Sequence, residues 1–154
     1  MYDSILVATD GSDDAARAVS HAVGLAQALE ATLHGVSVVE TRRAYDNAIV
    51  DPETVERRLR DRARGALSDL EAVAERTDLE VETEVLEGVP HQEVLAYVDE
   101  HDVGMLVVGA RGESSFKRVL LGSTVDAIVR LSPVPVVVVG DEEEVRQSTE
   151  RQNL

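Results

Sequence analysis

Three glycines and two hydroxyl side chains in the last third of the chain have a spacing that could bind an anion. Gly109, Gly112 and Gly122 are followed by Ser123 and Thr124, in the pattern G-x2-G-x9-G-[ST]. Glycine lets a backbone approach phosphate oxygens closely, and a helix that starts at Ser123 would point its unpaired N–H groups at the anion. The pattern predicts a phosphate site. The simpler alternatives are that the first two glycines only shape a turn and that Ser123 only caps the helix.

The charges at two predicted helix starts indicate which of them would accept phosphate. Asp13 and Asp14 stand in the opening turn of the first helix, where they would repel it, whereas the fourth helix carries no acid before Asp126. Within residues 104–131 the basic side chains outnumber the acidic ones; they are Arg111, Lys117, Arg118 and Arg130. We therefore expect phosphates at the start of the fourth helix.

A carboxylate follows the first predicted strand, in the segment Thr9-Asp10-Gly11-Ser12. Asp10 could accept hydrogen bonds from ribose hydroxyls or an exocyclic amine, or it could only stabilise the turn through a local bond. With phosphates near Gly122 and the nucleoside near Asp10, the two segments predict a nucleotide laid across one crevice. One carboxylate does not make a metal site, so whether a divalent cation accompanies the phosphates stays open.

Short β-branched runs alternate with apolar patterns of helical period, which predicts an α/β fold with a parallel sheet. The predicted strands span residues 4–9, 32–39, 79–86, 103–108 and 134–139. The predicted helices span residues 12–30 and 123–131, with two others beginning at Asp51-Pro52 and Pro90. Ligands of such sheets lie beyond the carboxyl ends of the strands, so the ends at Thr9 and at Gly109-Ala110-Arg111 would share the crevice if these strands are neighbours.

Two strands have the patterns of sheet edges. The third alternates apolar residues with glutamates, so one of its faces meets water. The fifth, VPVVVV, is apolar on both faces and contains Pro135, which favours an edge. We expect strand 134–139 to pair with the same strand of a second copy in a homodimer; coverage by the acidic tail at 141–154 is the alternative.

Composition restricts the classes of function. The chain has 154 residues, a net charge of −15 and no cysteine, which excludes disulfides and thiolate chemistry. The charge disfavours nucleic acid and anionic membranes, and no apolar run is long enough to cross a bilayer. A strand-like segment begins almost at Met1 and leaves no room for a leader, so we expect a cytoplasmic protein. Fourteen of the fifteen basic residues are arginine, a halophilic type of composition.

The ordered segments ILVATDGS, LHGVSVVE, GVPHQEVL, VVGARG, LLGSTVDAIVR and SPVPVVVV resemble the universal stress protein family, and in particular its ATP-binding branch. The resemblance covers residues 2–140. It implies a three-layer α/β domain over residues 1–140, with a five-stranded parallel sheet in the order 3-2-1-4-5, helices on both faces and a dimer through the fifth strand. It also implies a nucleotide-responsive stress or regulatory module that binds ATP, with or without Mg²⁺ or Mn²⁺.

The resemblance also implies roles for individual residues. Ala8 and Val38 would flank adenine, Asp10 beside Thr9 would meet the adenosine portion, and Gly109 beside Ala110 would meet the ribose. The phosphates would be contacted by two segments, Gly112, Glu113, Ser114 and Ser115 in the first and Gly122, Ser123, Thr124 and Val125 in the second. Arg111 is also predicted to bind the nucleotide.

Other functions find less support in the sequence. The chain lacks GxxxxGK[ST] for a P-loop ATPase, G-x-G-x-x-G for a dehydrogenase and the G-x-S-x-G elbow of a hydrolase. The four histidines have no metal-ligand spacing, and the arginine cluster at residues 56–64 is typical of a solvated helix face. We expect a binding protein with at most slow ATP hydrolysis. The alternative is a family member that has lost nucleotide binding and acts as a dimeric scaffold.

Overall fold

Five parallel strands alternate with four helices in the part of the chain that the computed structural model describes, which is residues 1–40, 51–112 and 121–141, together with 150 and 152. The strands are β1 (Ser4–Ala8), β2 (Thr32–Val39), β3 (Val81–Glu87), β4 (Met105–Gly109) and β5 (Val136–Val139). The helices are α1 (Asp13–Leu29), α2 (Pro52–Glu75), α3 (Pro90–Glu100) and α4 (Ser123–Leu131). The predicted α/β class is confirmed.

The strands form one sheet in the order β3-β2-β1-β4-β5, which confirms the predicted order. β1 is central: Ile5 is aligned with Leu33 of β2 on one side and with Met105 of β4 on the other. Glu82 and Glu84 of β3 are exposed, as expected of an edge strand with one face in water. This order places the carboxyl ends of β1 and β4 side by side.

Two helices cover each face of the sheet. On one face α1 and α2 bury Val23 and Leu70 against Val7 of β1. On the other, α3 and α4 bury Val94 and Ile128 together with strand residues that include Leu6, Val36, Leu106 and Val108. Each of these side chains contributes about 1.5–3 kcal/mol by leaving water, so the sheet is fixed from both sides. None of the helices in the described ranges is both long and apolar enough to span a membrane.

Caps and prolines fix where the helices begin. The side chain of Ser12 accepts a hydrogen bond from the N–H of Ala15 at 3.3 Å, so Ser12 is the N-cap of α1, as predicted. Asp51 caps α2 ahead of Pro52, and Pro90 opens α3. These starts place the first turns of α1 and α3 directly after the carboxyl ends of β1 and β3.

Three strand starts differ from the predicted ones, two of them because backbone groups at those positions bond elsewhere. The N–H of Val103 donates to the carbonyl of Val98 at the end of α3, so β4 begins at Met105. Val134 exchanges hydrogen bonds with the hydroxyl of Ser132 in a turn, so β5 begins at Val136. β3 begins at Val81 rather than Leu79, which packs against the core ahead of the strand.

Candidate functional site

A cavity of about 200 Å³ opens at the carboxyl edge of the sheet, where β1, β2 and β4 end. Ala110, which was also predicted for the site, does not line it; instead its carbonyl accepts a hydrogen bond from the N–H of Gly122 at 2.8 Å. Glu113, Ser114 and Ser115 lie outside the described residues. The structure brings the other predicted site residues to the cavity: Ala8, Thr9, Asp10, Val38, Gly109, Arg111, Gly112, Gly122, Ser123, Thr124 and Val125.

Asp10 has a local role and a place in the cavity at once. Its Oδ1 accepts a hydrogen bond from the N–H of Ser12 at 2.9 Å, and Gly11 has a φ of 81°, which favours glycine. A Cβ added at Gly112 would lie 2.7 Å from Oδ2 of Asp10. The turn therefore holds the carboxylate against the backbone of Gly112. Asp10 stabilises the turn and also lines the cavity, so both predicted roles are compatible.

Gly109 lets the end of β4 approach the start of α1. A Cβ at this position would lie 2.7 Å from the carbonyl carbon of Asp14 and 2.8 Å from the nitrogen of Ala15. Both neighbours are backbone atoms, which cannot move aside as a flexible side chain can. Gly109 is thus needed for the packing of α1 on β4, whatever it also does for a ligand.

The start of α4 has the geometry of an anion site. Gly122 is the N-cap residue, with φ −65° and ψ 159°, so the alternative that Ser123 caps the helix is wrong. Glycine offers no side chain to the first N–H groups of the helix, and Ser123, Thr124 and Val125 line the cavity. Helix N–H groups and the positive end of the helix dipole therefore border this end of the cavity.

Asp14 is buried at the start of α1 and bonds to two arginines. Its Oδ2 accepts from Nε of Arg111 at 3.2 Å, and its Oδ1 accepts from Nη1 of Arg17 at 2.6 Å. Arg17 also pairs with Asp141, which follows β5, at 3.4 Å. The sequence predicted that Asp14 would repel phosphate at α1. The charge of Asp14 is instead opposed by the guanidinium groups of Arg17 and of Arg111, which stands next to Gly112.

Helix α2 forms a wall of the cavity that the sequence did not predict. Leu59, Arg62 and Ala63 line the cavity on one helix face. One turn further on, a Cβ added at Gly11 would lie 3.6 Å from Cβ of Ala66, so α2 passes next to the Asp10 turn. Arg62 is exposed, as predicted for a solvated face, and it also lines the cavity. Arg60 pairs with Glu87 at the end of β3.

None of the four histidines, all of them within the described residues, lines this cavity. His34 is buried and its Nδ1 lies 2.8 Å from the hydroxyl of Tyr97, whose ring stacks on His101. Burial lowers the pKa of His34 below 6.5 against the opposing charge of Glu82, and burial raises the pKa of Tyr97 to about 12. A packing role for His34 is consistent with these contacts, and no cluster of metal-ligating side chains occurs within the described ranges.

Comparisons with known proteins place this arrangement in a family. The model of the universal stress protein family matches residues 1–140, so the chain belongs to the universal stress protein family. The universal stress protein YxiE of Bacillus subtilis is 33% identical over 147 residues, covering 90% of this chain and 99% of the relative. The comparisons therefore cover the whole cavity-bearing part of the chain.

Two solved structures extend the likeness to three dimensions. The universal stress protein UspA from Lactobacillus plantarum is 32% identical with a TM-score of 0.72, covering 90% of this chain and 97% of that one. A universal stress protein in complex with cAMP is 30% identical with a TM-score of 0.59, covering 90% of this chain and 97% of that one. An adenine nucleotide thus binds to a protein similar to this one.

Proposed function

We propose that this protein binds ATP in the cavity at the carboxyl edge of the sheet and acts as a nucleotide-responsive stress or regulatory module. The observation that carries the proposal is that one cavity joins the Asp10 turn to the start of α4. A carboxylate at one end suits ribose hydroxyls or an exocyclic amine, and helix N–H groups at the other suit phosphates. The cAMP complex of a similar protein supports an adenine ligand.

The apolar part of the lining suits a purine base. Ala8, Val38 and Leu59 line the cavity beside Pro90, so both faces of the sheet contribute apolar walls at its carboxyl edge. The volume of about 200 Å³ is below the roughly 300–1,000 Å³ of complete small-molecule sites. We infer that the nucleoside fills this volume and that the phosphates extend from it across Gly122.

Hydrolysis of the bound ATP should be slow at most. Among the described lining residues the carboxylates are Asp10 and Glu40, at the ends of β1 and β2, and histidine is absent. General-base catalysis needs a basic group within hydrogen-bond reach of the attacking water. We propose a binding role rather than an ATPase, and titrations with and without Mg²⁺ or Mn²⁺ would show whether a cation takes part.

We also propose that the protein is cytoplasmic and forms a homodimer through β5. β5 lies at an edge of the sheet, and the exposed apolar side chains of Val138 on this strand and of Val129 and Leu131 on α4 support burial against a second copy. Sedimentation of Val138→Lys should give a monomer. A wild-type protein that sediments as a monomer at micromolar concentration would contradict the dimer.

Native purification followed by mass spectrometry tests the nucleotide proposal. The protein, isolated at high salt and gently denatured, should release an adenine nucleotide in a ratio near one per chain. A sample that releases no nucleotide and whose melting temperature does not rise with millimolar ATP would favour the alternative, a dimeric scaffold without nucleotide binding.

A further inference from the structure

Arg62 stands at the nucleoside end of the cavity. It shares a helix face with Leu59 and Ala63, which also line the cavity, and the contact between Ala66 and Gly11 brings this part of α2 against the Asp10 turn. Arg64, two residues on, is exposed like Arg62 but does not line the cavity. Arg62 and Arg64 carry the same charge, but only Arg62 lines the cavity.

The charges around Arg62 indicate which part of a nucleotide it would meet. Asp10 and Glu40 line the same end of the cavity, and their carboxylates repel phosphate. The N–H groups of α4 that suit phosphates lie at the other end, near Gly122. A guanidinium at the nucleoside end meets the base, whose π-face attracts a planar cation.

We propose that Arg62 is a specificity-determining residue that lays its guanidinium plane on the purine base of the bound nucleotide. α2 packs on one face of the sheet and α3 on the other, so Arg62 and Pro90 form opposite walls of the space beyond the strand ends. This inference rests on the proposed function and adds a selective contact to it.

Titration calorimetry with ATP, adenosine and inorganic tripolyphosphate tests the contact. Arg62→Ala should bind both ATP and adenosine about 5- to 10-fold more weakly than the wild type, because both contain the base. Arg62→Lys should lose most of the same factor, since lysine keeps the charge but lacks the planar group. Tripolyphosphate binding should not change, and Arg64→Ala should match the wild type with every ligand.

Several results would overturn the inference. Unchanged ATP and adenosine affinities in Arg62→Ala would show that the side chain makes no contact. A loss confined to ATP and tripolyphosphate, or full recovery by Arg62→Lys, would show a phosphate contact through charge alone. A wild type that binds ATP but not adenosine would remove the base contact and leave the ATP proposal intact, whereas a wild type that binds neither would remove both.

Discussion

Nε of Arg111 donates a hydrogen bond to Oδ2 of the buried Asp14 across 3.2 Å, although the two residues are 97 positions apart. The bond ties the segment that follows β4 to the first turn of α1. Arg17 binds the other carboxylate oxygen and reaches Asp141 beyond β5. One buried carboxylate thus fixes three chain segments around the end of the sheet.

Replacing that carboxylate should destabilise the protein. Asp14→Asn removes the negative charge that Arg111 and Arg17 contact, although Arg17 keeps its pairing with Asp141, and we expect about 2 kcal/mol less unfolding free energy. This is below the ~3–5 kcal/mol of a fully buried pair because the side chain of Arg17 is 41% exposed. Thermal unfolding followed by circular dichroism should show a melting temperature lower by about 4–8 °C. Asp13→Asn, at an exposed neighbouring position, is the control; equal losses in the two variants would contradict the importance of the pair.

Alanine at two neighbouring glycines should separate stability from binding. Gly109→Ala presses a methyl group on the α1 backbone and should lower the unfolding free energy by about 2–3 kcal/mol. Among the described residues, a methyl group at Gly112 meets the Asp10 carboxylate, so Gly112→Ala should displace that side chain, cost under about 1 kcal/mol and weaken ATP binding about 10-fold. Urea unfolding and ATP titration of both variants check this. The opposite assignment, with Gly112→Ala unfolding and Gly109→Ala tolerated, would contradict the packing described.

Acidification should weaken the fold through His34. Its pKa in the folded protein lies below 6.5, so the unfolded chain takes up the proton first, and stability is lost as pH falls from about 6.5 towards the folded pKa. Glu82 on β3 and Glu80 just before it oppose this shift, and His101 at the C-cap of α3 reinforces it, while Tyr97 supplies the hydroxyl contact. Urea unfolding between pH 5.5 and 7.5 should show a smaller pH dependence in His34→Gln than in the wild type. The exposed His21→Gln should keep the wild-type slope, and an unchanged slope in His34→Gln would disprove the assignment.

Salt should stabilise this protein. A net charge of −15 makes the folded chain repel itself, and raising KCl from 0.1 to 1 M shortens the screening length from about 10 to about 3 Å. We expect a melting temperature several degrees higher at 1 M KCl, with the same increase in NaCl because screening does not depend on the cation. A lower melting temperature at high salt would mean that surface ion pairs outweigh the repulsion.

Local patterns predicted the elements well because each signal acts within a few residues. The apolar period and the glycine before Ser123 correctly predicted both ends of α4. Ser12 was correctly predicted as the N-cap of α1 from its residue type and position. The alternating glutamates of β3 correctly indicated an edge strand. The strand order itself came from the resemblance to a family, since parallel pairing leaves no local mark.

Contacts between distant segments could not be predicted in the same way. Asp14 was interpreted from its own helix turn, and nothing near it in the sequence indicates Arg111 as its partner. Arg62 is exposed beside the buried stripe of α2, and a helical pattern cannot tell that such an exposed residue also lines a cavity. The place of Glu40 in the cavity lining could have been predicted, since Glu40 directly follows β2 at the carboxyl edge of the sheet.

The most direct test of the central claim is calorimetric titration of ATP into the wild type and Gly122→Leu at high salt. The φ of −65° at Gly122 suits any residue, so the variant should fold, while its side chain would cover the helix N–H groups that we assign to phosphate. Gly65→Leu, where an added Cβ meets no atom of the described residues within 4 Å, is the matched control. We predict saturable binding to the wild type and the control and at least a 100-fold loss in Gly122→Leu. Equal ATP affinity in all three proteins would contradict the site.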